Sequence, residues 1–503
     1  MIDQDGARSL LPSGVPGLDH ILRGGVPAGT LSLIEGTSGA GKTTFGLQFA
    51  MEARRRDALA LFVAFAETRT EIHQVALSHG WSLDGVEILD LSVALSQATG
   101  ESGYRMFHPS EVELTETTRR ILDEVERIRP ERIVVDSLSD MRLLAGTPLL
   151  YRRQLFALKL ALAQAGVTGL LIDDITPRGE ETNIASVVQG TIVLEQIQPS
   201  YGSQSRRMSI RKMRSIDFIG GYHEFAILRG GIEIYPRLIA SQHALREPDV
   251  APRYSGVAEL DLLTGGGLDW GSSVLVIGPS GCGKSSLVTQ YVRSAVVDGQ
   301  PAAMFIFDES VETLLKRSAA MGSGLGPFVQ DGRLRIEKVN PSELSPGAFT
   351  WRVRCAVEEG GARVVAIDTL NGYLSARPGE AHMISRLHEL LTYLGRRGVL
   401  TFLVLSQRGI FGTGFEEPVE ASFLADTVIL VRYFEAAGEV RKAISIVKKR
   451  TGSHESTIRE LHLGGRGIQV GHPIRGFQGV LTGVPAVLDA DLVKRSVLAP
   501  DEN

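Results

Sequence analysis

The sequence predicts an α/β fold in tandem: two domains, each built on a mostly parallel, twisted sheet with helices on both faces. Three observations lead there. Ser13-Gly14-Val15 and Leu18-Asp19 recur 242 residues later as Ser255-Gly256-Val257 and Leu260-Asp261, and Gly36 recurs as Gly278 at the same spacing. A two-unit repeat of that length is a duplicated domain rather than a solenoid. Within each copy, short runs of Val, Ile and Leu alternate with amphipathic helical stretches, the pattern of parallel strands buried on both faces. Each copy also carries a glycine-rich run directly after an apolar strand.

Taken in order, the first copy reads as strands at LSLIEG, ALFVAFAE, RIVVDS, TGLLIDD and GTIVLEQ. The second reads as strands at SVLVIG, AAMFIFDE, RVVAIDT, LTFLVLSQ and DTVILVRYFE. Between them, YPRLIASQHALREPDVAPR combines proline, charge and weak periodicity, as a link does. The expected domains are residues 1–245 and 246–485, followed by a short tail of mixed charge, 486–503.

At 503 residues the chain exceeds what one core organises. Hydrophobic residues at 43% and charged residues at 22% are the balance of a soluble globular protein. Neither a secretion signal nor an apolar run of membrane-spanning length is read, and a cytoplasmic location is expected. The two cysteines, Cys282 and Cys355, have no metal-ligand spacing. A net charge of −5 argues against a global field that holds nucleic acid.

The glycine-rich runs carry the chemistry. Gly36-Thr37-Ser38-Gly39-Ala40-Gly41-Lys42-Thr43 and Gly278-Pro279-Ser280-Gly281-Cys282-Gly283-Lys284-Ser285 both satisfy G-x-x-x-x-G-K-[ST] between a strand and a helix. Glycines let successive N–H groups face a phosphate, and the following helix adds its positive end. Lys42 and Lys284 are expected to reach the outer phosphates, with Thr44 and Ser286 adjoining. Thr43 and Ser285 are expected to offer a hydroxyl to Mg²⁺. Asp136 and Asp368 end apolar strands at the edge where such sheets place ligands, and they read as the Walker-B metal-site carboxylates. ATP and Mg²⁺ are therefore the expected ligands. Cys282 lies in a loop that uses its backbone, so an inert small residue is expected there.

Hydrolysis also needs a group to orient or deprotonate water. Glu67 and the pair Asp308-Glu309 close the strand after the loop helix in each copy and are the candidates. A further strand leads into Lys212-Met213-Arg214 and into Lys448-Lys449-Arg450. These basic groups, far from the loops, suit stabilisation of charge on a neighbouring subunit's nucleotide, as an arginine finger does.

Together these residues resemble the KaiC family, double-domain RecA-type ATPases that include the cyanobacterial circadian clock ATPase and autokinase. The likeness runs through GTSGAGKT, FAETRTEI, RRQLFALK, KMR, GPSGCGKS, FDESVETLL, ADTVILVRYFEAAGEVRKAISIVKKRTGSHESTIREL and FQGVLTGVP. It implies a homo-hexamer of two stacked rings with ATP held between subunits, and regulatory protein partners of the KaiB or signalling type. Lys212, Arg214, Lys448 and Arg450 would reach a neighbour's nucleotide. It further implies hydrolysis in the first ring and Ser/Thr autophosphorylation in the second. The chain departs from the family pattern in places. The first acidic pair is Ala66-Glu67, the second is Asp308-Glu309, and the phosphoacceptor pair is Ser422-Phe423. Ser186 stands where Ser422 does in the first copy, which favours a structural serine bonding local backbone.

The leading expectation is thus a hexameric ATPase with Ser/Thr autokinase activity, acting in circadian-type timing or signal transduction. A DNA-dependent motor of the RecA or DnaB kind is the alternative, with Arg206, Arg207 and Arg211 as a local basic cluster. A nucleotide-switched scaffold with little hydrolysis is a third reading, prompted by Ala66.

Overall fold

The central parallel strands form where the sequence is continuously apolar, and the repeat is visible in the strand order. A computed structural model describes residues 9–92, 109–145, 147–175, 184–198, 204–246, 251–343, 345–375, 382–407, 421–436, 438–475, 477–480 and 486–487. The chain divides into two compact units, one ending at Arg237 and the next beginning at Leu238. Leu238 and Ala240 pack into the second unit's core, so the linking segment belongs to that unit.

In the first unit, β1 (Leu10–Leu11) and β2 (Val26–Pro27) pair as a small antiparallel ribbon. Then come β3 (Leu31–Gly36), β4 (Ala60–Ala64), β5 (Val86–Asp90), β6 (Arg132–Asp136), β7 (Thr168–Asp174), β8 (Gly190–Ile197), β9 (Ser205–Met213), β10 (Tyr222–Leu228) and β11 (Gly231–Tyr235). They form one nine-stranded sheet in the order β11-β10-β9-β8-β3-β7-β6-β4-β5. From β8 to β5 the neighbours run parallel, and β9 to β11 extend the β8 edge antiparallel.

The second unit repeats this plan with β12 (Ser273–Gly278), β13 (Ala302–Ile306), β14 (Leu334–Lys338), β15 (Val364–Asp368), β16 (Leu400–Ser406), β17 (Thr427–Ala436), β18 (Glu439–Lys449), β19 (Arg459–Gly464) and β20 (Gly467–Pro473). Their order, β14-β13-β15-β16-β12-β17-β18-β19-β20, matches the first sheet strand for strand. Alternation explains why both faces are covered. Val274 and Val276 of β12, with Val364 and Ala366 of β15, join one core cluster. Leu275, Ile277, Val365 and Ile367 join the cluster on the opposite face.

The repeated opening motif has a local reason. The Ser13 N–H donates to Asp19 at 2.8 Å and the Ser255 N–H to Asp261 at 2.7 Å, while each serine hydroxyl accepts from the valine N–H two residues on. The turn that introduces each sheet is thereby fixed. Two expectations are corrected. The strands read as ALFVAFAE and AAMFIFDE end at Ala64 and Ile306, leaving Glu67, Asp308 and Glu309 in the bend beyond. In addition, the sheets are wider than the buried apolar runs indicated. The edge strands β5 and β14 are only partly buried and carry polar residues, so they lack that signature.

Candidate functional site

The first candidate site gathers where β3 ends. A Cβ on Gly36 would stand 2.9 Å from the Leu194 carbonyl oxygen, so this position is closed to side chains. Gly41 enters the helix Lys42–Met51 at φ 97°, a left-handed conformation that glycine adopts without strain. The Lys42 ammonium turns back over the loop and donates to the carbonyls of Gly36 and Thr37, both at 3.1 Å. It also lies 2.8 Å from Asp174 at the tip of β7. The Thr43 hydroxyl donates to Asp136 Oδ2 at 2.7 Å. Because Ala64 pairs with Asp136 in the β4–β6 register, the bend after β4 carries Glu67 to the same sheet edge.

Electrostatics mark the place. Burial pushes Asp136 up to about 6, against the Thr43 hydroxyl and Lys42, with Asp174 and Asp140 adding to the rise. Burial first, then the charges of Asp136 and Glu71, raise Glu67 above the usual carboxylate range. Glu67 Oε2 is buried with no hydrogen-bond partner among the described residues.

The second site repeats the frame with other fittings. Gly283 enters the helix Lys284–Val297 at φ 110°. Lys284 is buried and donates to the Pro279 carbonyl at 2.7 Å. Burial lowers its pKa, opposed by Cys282, Asp368 and Asp308. Asp368 is raised by burial, with the Ser285 hydroxyl opposing and Glu309 reinforcing, and its Oδ2 has no hydrogen-bond partner among the described residues. Asp308 accepts from the Thr369 hydroxyl at 2.7 Å, and Glu309 pairs with Arg317 at 2.5 Å. Loop, acids and Arg317 line a cleft of about 300 Å³. Burial raises the Cys282 thiol, which agrees with the inert residue expected there.

The basic segments do not join the loops of their own unit. Thr191 pairs with Lys212 and Val428 with Lys448, at the start of β8 and β17, whereas the glycine-rich loops leave from the ends of the neighbouring parallel strands β3 and β12. Lys212 donates to the Ala185 carbonyl, and Lys448 to the carbonyls of Ser422 and Ala425 at 2.8 and 2.7 Å. Lys449 donates to the carbonyls of Thr264 and Gly267 at 2.7 and 3.0 Å, and Arg450 to that of Phe423 at 3.0 Å. Met213 is buried, and the Arg214 N–H donates to the Gln189 carbonyl at 3.0 Å. Ser422 sits in a short 3-10 turn, Ala421–Leu424, at this same far edge, and Ser186 ends the corresponding turn in the first unit. Of the basic cluster, Arg207 is paired with Glu195 at 2.5 Å and Arg211 with Glu35 at 3.2 Å. Both of these arginines thus have an acidic partner within the sheet.

Three site residues escaped the reading of the sequence. Asp174 ends β7 and Thr369 follows β15, where only the topology brings them to the site. Arg317 lies on the helix Val311–Ala320, eight residues beyond Glu309, which precedes that helix, so no local spacing signalled the pair. The donors fit a divalent cation beside a polyphosphate: a hydroxyl next to a carboxylate in the first site, and an unpartnered buried carboxylate oxygen in the second. Among the described residues no group of three His, Cys, Asp or Glu stands ready to hold a metal alone. Magnesium takes most of its ligands from phosphate and water, so the two facts agree.

Comparison with known proteins follows the same lines. The family profile described as "ATPase: KaiC" matches residues 11–239 and 254–474. The circadian clock oscillator protein KaiC of Parathermosynechococcus lividus is 28% identical over 486 residues, covering 95% of this chain and 88% of that protein. The circadian clock protein KaiC3 of Synechocystis sp. is 28% identical over 503 residues, 98% of each chain. The circadian clock oscillator protein KaiC of Synechococcus elongatus is 27% identical over 484 residues, 95% of this chain and 92% of that protein.

Proposed function

The chain belongs to the KaiC ATPase family, and from that membership we propose that both RecA-like domains bind Mg-ATP and hydrolyse it within a homo-hexamer. The observation that carries this reading is the convergence, at one sheet edge of the first unit, of the loop lysine, the Thr43 hydroxyl, Asp136 and Glu67. The loop N–H groups cradle the phosphates, and Lys42 or Lys284 offsets their charge. Thr43 and Asp136, or Ser285 and Asp368, would hold a magnesium ion, which when bound would supply neutralisation of charge on the terminal phosphates. Water then forms the new bond to the γ-phosphorus while the bond to the β–γ bridging oxygen breaks. Glu67 takes the proton from that water, and its raised proton affinity suits a general base. In the second domain Asp308 and Glu309 serve this purpose.

The far-edge position of Lys212, Arg214, Lys448 and Arg450 supports their action on a neighbour's nucleotide, since their own loops lie at the opposite edge. The same geometry supports Ser422 as an acceptor only for a γ-phosphate bound by an adjacent subunit. A cytoplasmic timing or signalling role with KaiB-like partners is the physiological form of this reading. Among the described residues, no helix is long and apolar enough to cross a membrane.

The test is steady-state turnover of Glu67→Gln, Glu309→Gln and the double variant. Each single change is expected to remove one domain's share, and the double variant is expected to be inactive while still binding Mg-ATP by calorimetry. Undiminished turnover in the double variant would refute the assignment.

A further inference from the structure

Arg317 is the one cation of the second cleft besides Lys284, among the described residues that line it. It projects from the helix Val311–Ala320, whose start is fixed by the Ser310 hydroxyl accepting from the Thr313 N–H at 3.1 Å. Its guanidinium makes two directed bonds. Nη2 meets Glu309 Oε1 at 2.5 Å, and Nη1 donates to the Ser286 hydroxyl at 2.9 Å, in the first turn of the loop helix. A planar fork of this kind fixes both direction and distance, which a point charge does not. It ties the acid in the bend after β13 to the helix that begins at the phosphate loop.

The first domain supplies an internal control. At the repeat offset of 242, Glu309 corresponds to Glu67 and Ser286 to Thr44, but Arg317 corresponds to Val75. Glu67 accordingly keeps a buried carboxylate oxygen with no hydrogen-bond partner among the described residues. One chain thus holds its two acids by different means.

We propose that Arg317 is a positioning residue for hydrolysis in the second domain, clamping Glu309 to the loop helix so that the carboxylate faces the attacking water. This rests on the reading that the second cleft hydrolyses ATP through Glu309. An ion pair that served only stability would be worth little at this exposure, with side chains 28% and 24% exposed. A clamp on a reacting group acts on rate, where a displacement of about 1 Å costs up to about a hundredfold.

The test places Arg317→Ala and Arg317→Lys in a Glu67→Gln background, so that remaining turnover belongs to the second domain. Arg317→Ala is expected to lower kcat by about ten- to a hundredfold, with the Kd for a non-hydrolysable ATP analogue unchanged within about twofold. Lysine reaches one partner but not both, so Arg317→Lys should recover part of kcat. An unchanged or raised kcat in Arg317→Ala would overturn the proposal, as would a loss confined to analogue affinity. Two analogue sites per chain by calorimetry show that both domains of the variant are folded. A Glu67→Gln, Glu309→Gln double variant with undiminished turnover would instead sink the hydrolytic reading on which the proposal rests.

Discussion

Removing the charge of Asp136 should stabilise the ligand-free protein, and the gain should vanish in acid. The carboxyl is pushed up to about 6 from an ordinary 3.8 because burial outweighs the help of Thr43 and Lys42. A raised carboxylate binds its proton more tightly folded than unfolded, so stability is lost as pH rises from about 4 to about 6. The full shift corresponds to ~3 kcal/mol at neutral pH, and the partial solvent exposure of the Asp136 residue reduces this to ~2 kcal/mol. Asp136→Asn keeps an acceptor for the Thr43 hydroxyl while deleting the charge. In EDTA without nucleotide, its first unfolding transition at pH 7.5 should lie about 4–8 °C above that of the parent. The two proteins should converge near pH 4. Saturating Mg-ATP should reverse the ranking, because the parent alone then has its carboxylate neutralised by the cation. Equal melting at pH 7.5, or a gain that persists at pH 4, would refute the account.

Two further outcomes follow from the same geometry. Asp174 pairs with the Lys42 ammonium in the first site, so Asp174→Asn in a Lys284→Ala background should tighten Mg-ATP binding about two- to fivefold by titration calorimetry, and weaker binding would count against this competition. After incubation with Mg-ATP, mass spectrometry should find phosphate at Ser422 in wild type and none at that turn in Ser422→Ala with turnover intact; an unmodified Ser422 would end the autokinase reading.

The duplication, the glycine-rich loops and the acids that end their strands were legible because each depends on residues adjacent in sequence. Gly36 and Gly278 abut their strands, and Asp136 and Asp368 end runs that are unmistakably apolar. What lies between distant segments was less visible. Asp174 and Thr369 gain meaning only from the parallel register, which sets the tip of β7 beside the first phosphate loop and the tip of β15 beside the bend that carries Asp308. The edge strand β14, LRIEK, is half polar because only one side of it has a neighbour. The ends of β4 and β13 were read three residues too long, since Phe65 and Phe307 are buried although they lie beyond the sheet ladder. Arg317 was passed over because a surface arginine on a helix ordinarily pairs with solvent or with a nearby acid of no consequence.

Carrying the basic tips and the phosphate loop at opposite edges of one sheet gives each domain a direction. Under the proposed action in trans, a molecule that offers its cations at one edge and takes them at the other is not completed by a face-to-face pair, where both partners present the same patch. Its contacts would then run head to tail, and such a chain of contacts either closes on itself or grows without limit. Blending wild-type protein with copies lacking Arg450 should then depress turnover in proportion to the number of spoiled seams rather than the number of spoiled molecules.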